Sequence, residues 1–240
     1  EIHERLVGSE MCIRDRPTED AFKFGSAMSG NLQIERGDRA YVRDYVNESD
    51  QEAILESIRD AARRSDVVIA TLHTHEGENE NWYATYAPKF VEEFARKTID
   101  AGATCFVGQG AHFPRGVEVY KGCPIFYNLG SWLMEFESGE SMISPEMYET
   151  YHLGPDAHPS DLHSNRAQKP DGSWNGFYSE RRFSTNFLVV LDINEEGARY
   201  EIVPLDLDMH RENNLKRGLP EVSTPEAVSY THLRAHETLM

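Results

Sequence analysis

The sequence predicts an α/β fold, with a parallel strand–helix–strand core followed by an antiparallel hairpin near the carboxyl end. Two short apolar runs, "DVVIATL" (66–72) and "TCFVG" (104–108), flank a segment of helical spacing. That order in one sheet implies a parallel pair joined by a right-handed crossover. Further on, "TNFLVVLDI" and "ARYEIVPLDLD" are separated only by "NEEG", which predicts a hairpin. The 240 residues, 39% hydrophobic and 27% charged, suit one domain with a sizeable core.

Taken in order, residues 17–48 are polar and turn-rich, with room for one short strand. "SDQE" (49–52) offers a capping box, Ser49 accepting from the backbone and Glu52 reaching back. Ile54, Ile58, Ala61 and Ala62 follow at helical spacing, so a helix is expected to about Arg64. The β-branched run 66–72 reads as a buried strand. A polar loop, "HTHEGENEN", leads to a second helix over 88–101. Phe90, Phe94, Thr98 and Ala101 share its inner face, and Gly102 ends it. After the buried strand 104–108, "VEVYKGCPIFYNLG" suggests two strands joined around Lys121 and Gly122. Residues 137–182 read as an ordered insertion or lid, because Trp174, Phe177 and several tyrosines give it something to bury. The two ends, 1–16 and 228–240, contain "VGSEMCIRDR" and "VSYTHLRAHETLM", which resemble translated sequencing-adapter read-through. They are set aside as non-native, with His232 and His236. The domain is thus expected over 17–227.

Forty-one acidic against 24 basic residues give a formal net charge of −17. Such a surface repels phosphate backbones, which excludes nucleic acid as an expected partner and disfavours an anionic membrane. An anionic substrate then needs a metal or a local arginine cluster to reverse the field. No apolar run is long enough for a transmembrane helix. The three cysteines, Cys12, Cys105 and Cys123, form no CxxC pair and no disulfide framework.

The chemistry-bearing residues collect where the two predicted parallel strands end, the rim at which open α/β sheets bind ligands. His73 and His75 stand at i and i+2, so in an extended segment both point the same way. They can converge on one cation, with Glu76 or Glu78 adding an oxygen; alternatively they are solvated loop histidines. His112, at the end of the next strand, should face the same rim, which favours metal binding. A mixed N/O set suits Mn, Fe, Zn or Ni equally, so the expectation is a divalent transition metal of unspecified identity. Arg115 can hold a phosphate or carboxylate, or form a rim salt bridge. Asn128 can orient substrate, or close a strand-end turn. Arg181 and Arg182 can close the insertion on an anion or stay solvated. His152, His158 and His163 lack ligand spacing and read as surface residues. Cys105 reads as a small core residue, and Trp82 with Tyr83 as packing for the first loop.

The stretches "SDVVIATLHTHEG" and "FARKTIDAGATCFVGQGAHFPRGVEVYKGCPIFYNLGSW" resemble the CapA-like capsule-synthesis, or poly-γ-glutamate-biosynthesis, family. The likeness is close over 65–133 and loose over the hairpin. It implies part of a four-layer α-β-β-α sandwich similar to the metallophosphoesterases, with His73 and His112 as metal ligands, His75 a third, and up to two metals in a full-length parent. It also implies a metal-dependent hydrolase or transferase acting on an anionic envelope polymer or a phosphoester, at an extracytoplasmic or envelope location. Three departures stand out: Gln109 replaces a usual histidine, and Ser131 and Trp132 replace a usual Asn and Phe. The family's amino-terminal Asp and Asn-Asn-His blocks have no counterpart in 17–64. The chain is therefore expected to be the carboxyl-terminal part of a longer protein and inactive by itself. The competing expectation is a non-catalytic binding or scaffold component of a polymer-synthesis or export complex.

Overall fold

The computed structural model describes residues 21–24, 32–35, 46–134, 143–194, 197–213 and 216–224. Strands β1 (Ala21–Phe24) and β2 (Leu32–Glu35) form a separate antiparallel pair, where one strand was expected. The principal sheet contains β3 (Ile69–His73), β4 (Cys105–Gln109), β5 (Val117–Tyr120) and β6 (Cys123–Phe126) in the order β3-β4-β6-β5. Pairs β3–β4 and β4–β6 are parallel, and β5–β6 is an antiparallel hairpin. That hairpin turns on Lys121 (φ 51°) and Gly122 (φ 80°), two consecutive left-handed residues as a tight two-residue turn requires. A second sheet runs β7 (Thr185–Asn194), β8 (Gly197–Asp206) and β9 (Glu221–Val222), all antiparallel. The α/β class, the parallel core and the terminal hairpin are as the sequence predicts.

Helices α1 (Glu48–Ala62) and α2 (Lys89–Asp100) cover one face of the principal sheet. Leu55 of α1 and Val91, Phe94, Ala95 and Ile99 of α2 close on Ala70, Leu72, Phe106 and Ile125. The other face, through Val107, Val117 and Phe126, meets Phe187, Val189, Leu191, Tyr200 and Ile202 of the second sheet. The described residues therefore form helices, sheet and sheet, three of the four layers the resemblance implies. Helix and sheet are also joined electrostatically. Arg96 of α2 makes a bidentate pair with the buried Glu118 of β5 (2.9 Å twice), and the Tyr127 hydroxyl donates to the same carboxylate.

Several local expectations change. The α1 cap is Asn47, whose side-chain oxygen accepts from the Ser49 and Asp50 amides, while Glu52 pairs with Arg59. The buried face of α2 includes the expected Phe94 and Thr98, with Ala101 buried just after the helix, and is widened by Val91, Ala95 and Ile99, while Phe90 is only half-buried. Strand β3 is buried on one face only, alternating exposed and buried, and Ile69 is 50% exposed. It pairs only with β4 among the described residues. The second sheet packs over β4, β5 and β6, so no described residue covers the outer face of β3. Helix α2 does end before Gly102 (φ 107°), where a Cβ would lie 2.8 Å from Ala62 Cβ on α1. The close approach of the two helices requires glycine there.

Within the expected insertion, residues 143–182 are ordered as α3 (Pro145–Thr150), α4 (Pro159–Ala167) and short 3-10 turns at Gly176–Tyr178 and Arg181–Phe183. Tyr178, Trp174 and Phe177 pack with Phe113, Phe183, Leu207 and Met209, which supplies the apolar anchor the sequence implied. His152 and His158 are exposed. The segments 1–16 and 228–240 lie outside the described residues. No described helix is long and apolar enough to cross a membrane.

Candidate metal-binding rim

Strand β3 ends at His73, beside Gln109 at the end of β4. The Thr74 amide continues the ladder by donating to Gln109 O (2.8 Å), so the backbone is still extended as it leaves the sheet. Thr74 therefore turns inward and is buried, while His73 and His75 project outward together. Their Nε2 atoms are 3.3 Å apart. Two nitrogens bound tetrahedrally to one zinc-like ion at about 2.0–2.1 Å lie roughly 3.4 Å apart. The same spacing also suits an N–H···N contact between neutral rings.

The next turn brings His112 to the same rim. Gly110 (φ 115°) is needed for this, because a Cβ there would sit 2.6 Å from Thr74 O. His112 itself is left-handed (φ 65°). Its ring centroid lies 6.0 Å from that of His75, and His73 and His75 are 5.3 Å apart. Rings sharing one ion sit about 5 Å apart by the same bond lengths. The first pair meets that spacing and His112 stands slightly wide of it. Burial, then the neighbouring His75 and His73, hold the His112 pKa below the usual imidazole range, so the ring is neutral at pH 7 as a ligand must be. Among the described residues no three of His, Cys, Asp and Glu form a complete metal-holding group. The fit is a two-nitrogen seat with a third imidazole beside it.

Aromatic rings frame these imidazoles. Trp82 stacks on His75 (6.0 Å between centroids, 25° between planes), and Phe177 lies 5.0 Å from His112. Trp82 meets Phe177 edge-on, so the first loop and the insertion share one aromatic wall. Arg182 fastens them from outside, donating to Tyr83 O (2.6 Å) and pairing with Glu180 (2.7 Å). Arg181 is exposed, 4.0 Å from Asp206. Of the two arginines, then, one is a strut and the other faces solvent.

Arg115 is only 2% exposed. Its guanidinium donates to Glu76 O (2.5 Å) and Trp82 O (3.1 Å), clamping the loop that carries His75. Burial pushes its pKa down to about 10, with the Glu76 charge opposing. This differs from both a rim salt bridge and an arginine presented to solvent. Asn128 is fully buried; its carbonyl accepts from the Arg115 amide and its Oδ1 from the Gly130 amide, the strand-end turn. Arg115 Nε, Asn128 Nδ2 and Trp82 Nε1 are buried donors with no hydrogen-bond partner among the described residues. Asn186 was not foreseen as part of this region. It is fully buried and accepts from the Ser131 amide (3.0 Å). A polar residue opening a strand is too common a pattern to have marked it.

Residues 21–135 match the family described as bacterial capsule synthesis protein PGA_cap, extending the likeness upstream of 65–133. Over those residues the chain is similar to the CapA-like capsule-synthesis proteins. It is 30% identical over 190 residues to an uncharacterized protein of Sinorhizobium fredii, covering 77% of this chain and 40% of that one. Over 96 residues it is 30% identical to a probable polyglutamine synthesis accessory protein of Mycobacterium tuberculosis, covering 40% of this chain and 24% of the relative. Over 105 residues it is 30% identical to the PGA biosynthesis protein CapA of Bacillus subtilis, covering 44% and 26%. The chain thus spans well under half the length of these curated relatives. Capsule and poly-glutamate biosynthesis is the setting of the family.

Proposed function

We propose that this protein takes part in making an anionic envelope polymer of the poly-γ-glutamate kind, as a metal-dependent hydrolase or transferase in its full-length form. The observation that carries the reading is the 3.3 Å approach of His73 Nε2 and His75 Nε2 at the strand rim, with His112 alongside. His73 and His75 hold a divalent transition metal, and His112 is the third donor. The bound ion supplies positive charge that a polymer carboxylate or phosphoester needs on a chain of net charge −17. Arg115 and Asn128 serve this site from beneath, Arg115 by clamping the His75 loop through Glu76 O and Trp82 O and Asn128 by closing the turn at Gly130. With two nitrogens seated and the third wide, the 240-residue chain binds cation and polymer without turnover. An extracytoplasmic or envelope location fits such a substrate.

A second reading, a non-catalytic accessory of a polymer-synthesis complex, is favoured by Gln109, an amide where an imidazole would strengthen the site. The name of the mycobacterial relative points the same way. Co-sedimentation of the chain with poly-γ-glutamate, with and without Zn²⁺ or Mn²⁺, separates the two. The metal reading predicts cation-dependent binding that His73→Ala abolishes. Binding indifferent to both cation and substitution supports the accessory role. Metal-dependent hydrolysis of a phosphoester by this chain contradicts the claim that it is inactive alone.

A further inference from the structure

We propose that Arg115 and Asn128 hold a small monovalent anion, of chloride size, in the interior beneath the histidine rim. The inference goes beyond the metal reading and does not depend on it.

The two residues stand opposite each other. The β5–β6 hairpin pairs Val117 with Phe126, and the bridge between Pro114 and Leu129 keeps the same register past the strand ends. Positions 115 and 128 are therefore cross-strand neighbours whose side chains leave the ladder on one face, with Cβ atoms about 5 Å apart. The Arg115 amide donates to Asn128 O (3.0 Å), which holds the pair together. Both are buried, Arg115 being 2% exposed and Asn128 not at all.

The buried side-chain polar atoms that lack a hydrogen-bond partner among the described residues are Arg115 Nε, Asn128 Nδ2 and Trp82 Nε1. They fall in one cluster, since Arg115 also donates to Trp82 O (3.1 Å), and every one is a donor. Buried groups of this kind mark either an ordered water or an ion.

Charge decides between the two. Arg96 shows how a guanidinium is ordinarily matched: its Nε and Nη2 both donate to the Glu118 carboxylate. Arg115 instead gives Nη1 and Nη2 to the neutral carbonyls of Glu76 and Trp82, and makes no ion pair with a described residue. Burial lowers its pKa to about 10, against the pull of the Glu76 carboxylate, so it is still a cation at pH 7. A buried cation matched only by dipoles, beside the free Asn128 amide, suits an acceptor that carries negative charge and has no proton to place. Water brings two protons that need acceptors in turn, and Asn128 Oδ1 already takes the Gly130 amide. The donors are shut off from solvent, so the occupant is compact and easily stripped of water, a halide rather than a phosphate or a polymer carboxylate. The net charge of −17 is no obstacle, because those charges act through water and salt while the guanidinium acts at contact.

The test is thermal unfolding of the metal-free chain in chloride, bromide and gluconate at equal ionic strength, with a bromide-soaked crystal read at the bromine edge. Both halides should raise Tm by about 2–5 °C over gluconate, and a bromine signal should lie between Arg115 Nε and Asn128 Nδ2. Arg115→Met also removes the clamp on the His75 loop, so the discriminating variant is Asn128→Asp. Its Oδ1 still takes the Gly130 amide, and its second oxygen supplies negative charge beside Arg115. Its Tm should be no higher in halide than in gluconate. A halide response that survives Asn128→Asp, or one Tm for the wild type in all three salts, overturns the proposal. So does a crystal with water between the two donors and bromide only at the surface, and that wild-type result decides the matter whether or not the variants fold.

Discussion

Cys105 shows what complete burial does to a single group. It has no exposed surface, and desolvation pushes its thiol up to about 11, with Cys123 adding to the shift. The folded chain therefore holds this proton more tightly than the unfolded one. Its contribution to stability is full below the unfolded thiol range near pH 8.5 and disappears as pH rises through about 11. Denaturant unfolding should show wild type losing up to roughly 2–3 kcal/mol more than Cys105→Ala between pH 8 and pH 11. Parallel pH profiles would remove that account. Gly110 gives a prediction of another kind. Gly110→Ala places a methyl against Thr74 O in a left-handed backbone. It should destabilise the chain by about 1–3 kcal/mol and disturb the ring resonances of both His75 and His112, read by NMR. The approach of His73 to His75 was legible in the sequence, because strand period sets their common direction; His112 comes to the same rim through a left-handed turn at Gly110 that no period foretells. The role of Arg115 was not legible either. Spacing places its Cα near the rim, but a long side chain goes where donors and acceptors remain, here to Glu76 O and Trp82 O.

At the scale of elements, the strand–helix–strand unit was readable from periodicity, and its details were decided by neighbours. Asn47 and Ser49 are both good caps; the helix begins where the Asn47 oxygen can reach two otherwise unpaired amides. Asn47→Ala should cost about 1 kcal/mol by denaturant unfolding, and Ser49→Ala much less; equal losses would count against Asn47 as the cap. Strand β3 was read as buried because a run of β-branched residues does not reveal which faces are covered. The junction of α2 with the principal sheet depends on Arg96 and Glu118. Arg96→Ala strands a buried carboxylate and should cost about 2–4 kcal/mol. Arg96→Met combined with Glu118→Met should cost clearly less than the sum of the single changes, since neither charge is then left alone. Additive losses in that cycle would mean the pair contributes no coupling.

Across the whole molecule, the acidic surface and the imidazole rim belong to one argument. A chain of net charge −17 meets an anionic polymer unfavourably unless positive charge is held locally. Imidazoles at the rim can seat a cation that supplies it. Three layers are described, the outer face of β3 is uncovered by described residues, and the relatives are more than twice as long as the matched region. The proposed cation seat rests first on the approach of His73 and His75. Isothermal titration of Zn²⁺ into the metal-free chain tests this directly. The account predicts one ion per chain, with binding at least about tenfold weaker in both His73→Ala and His75→Ala. Identical isotherms for the wild type and the two variants would contradict it.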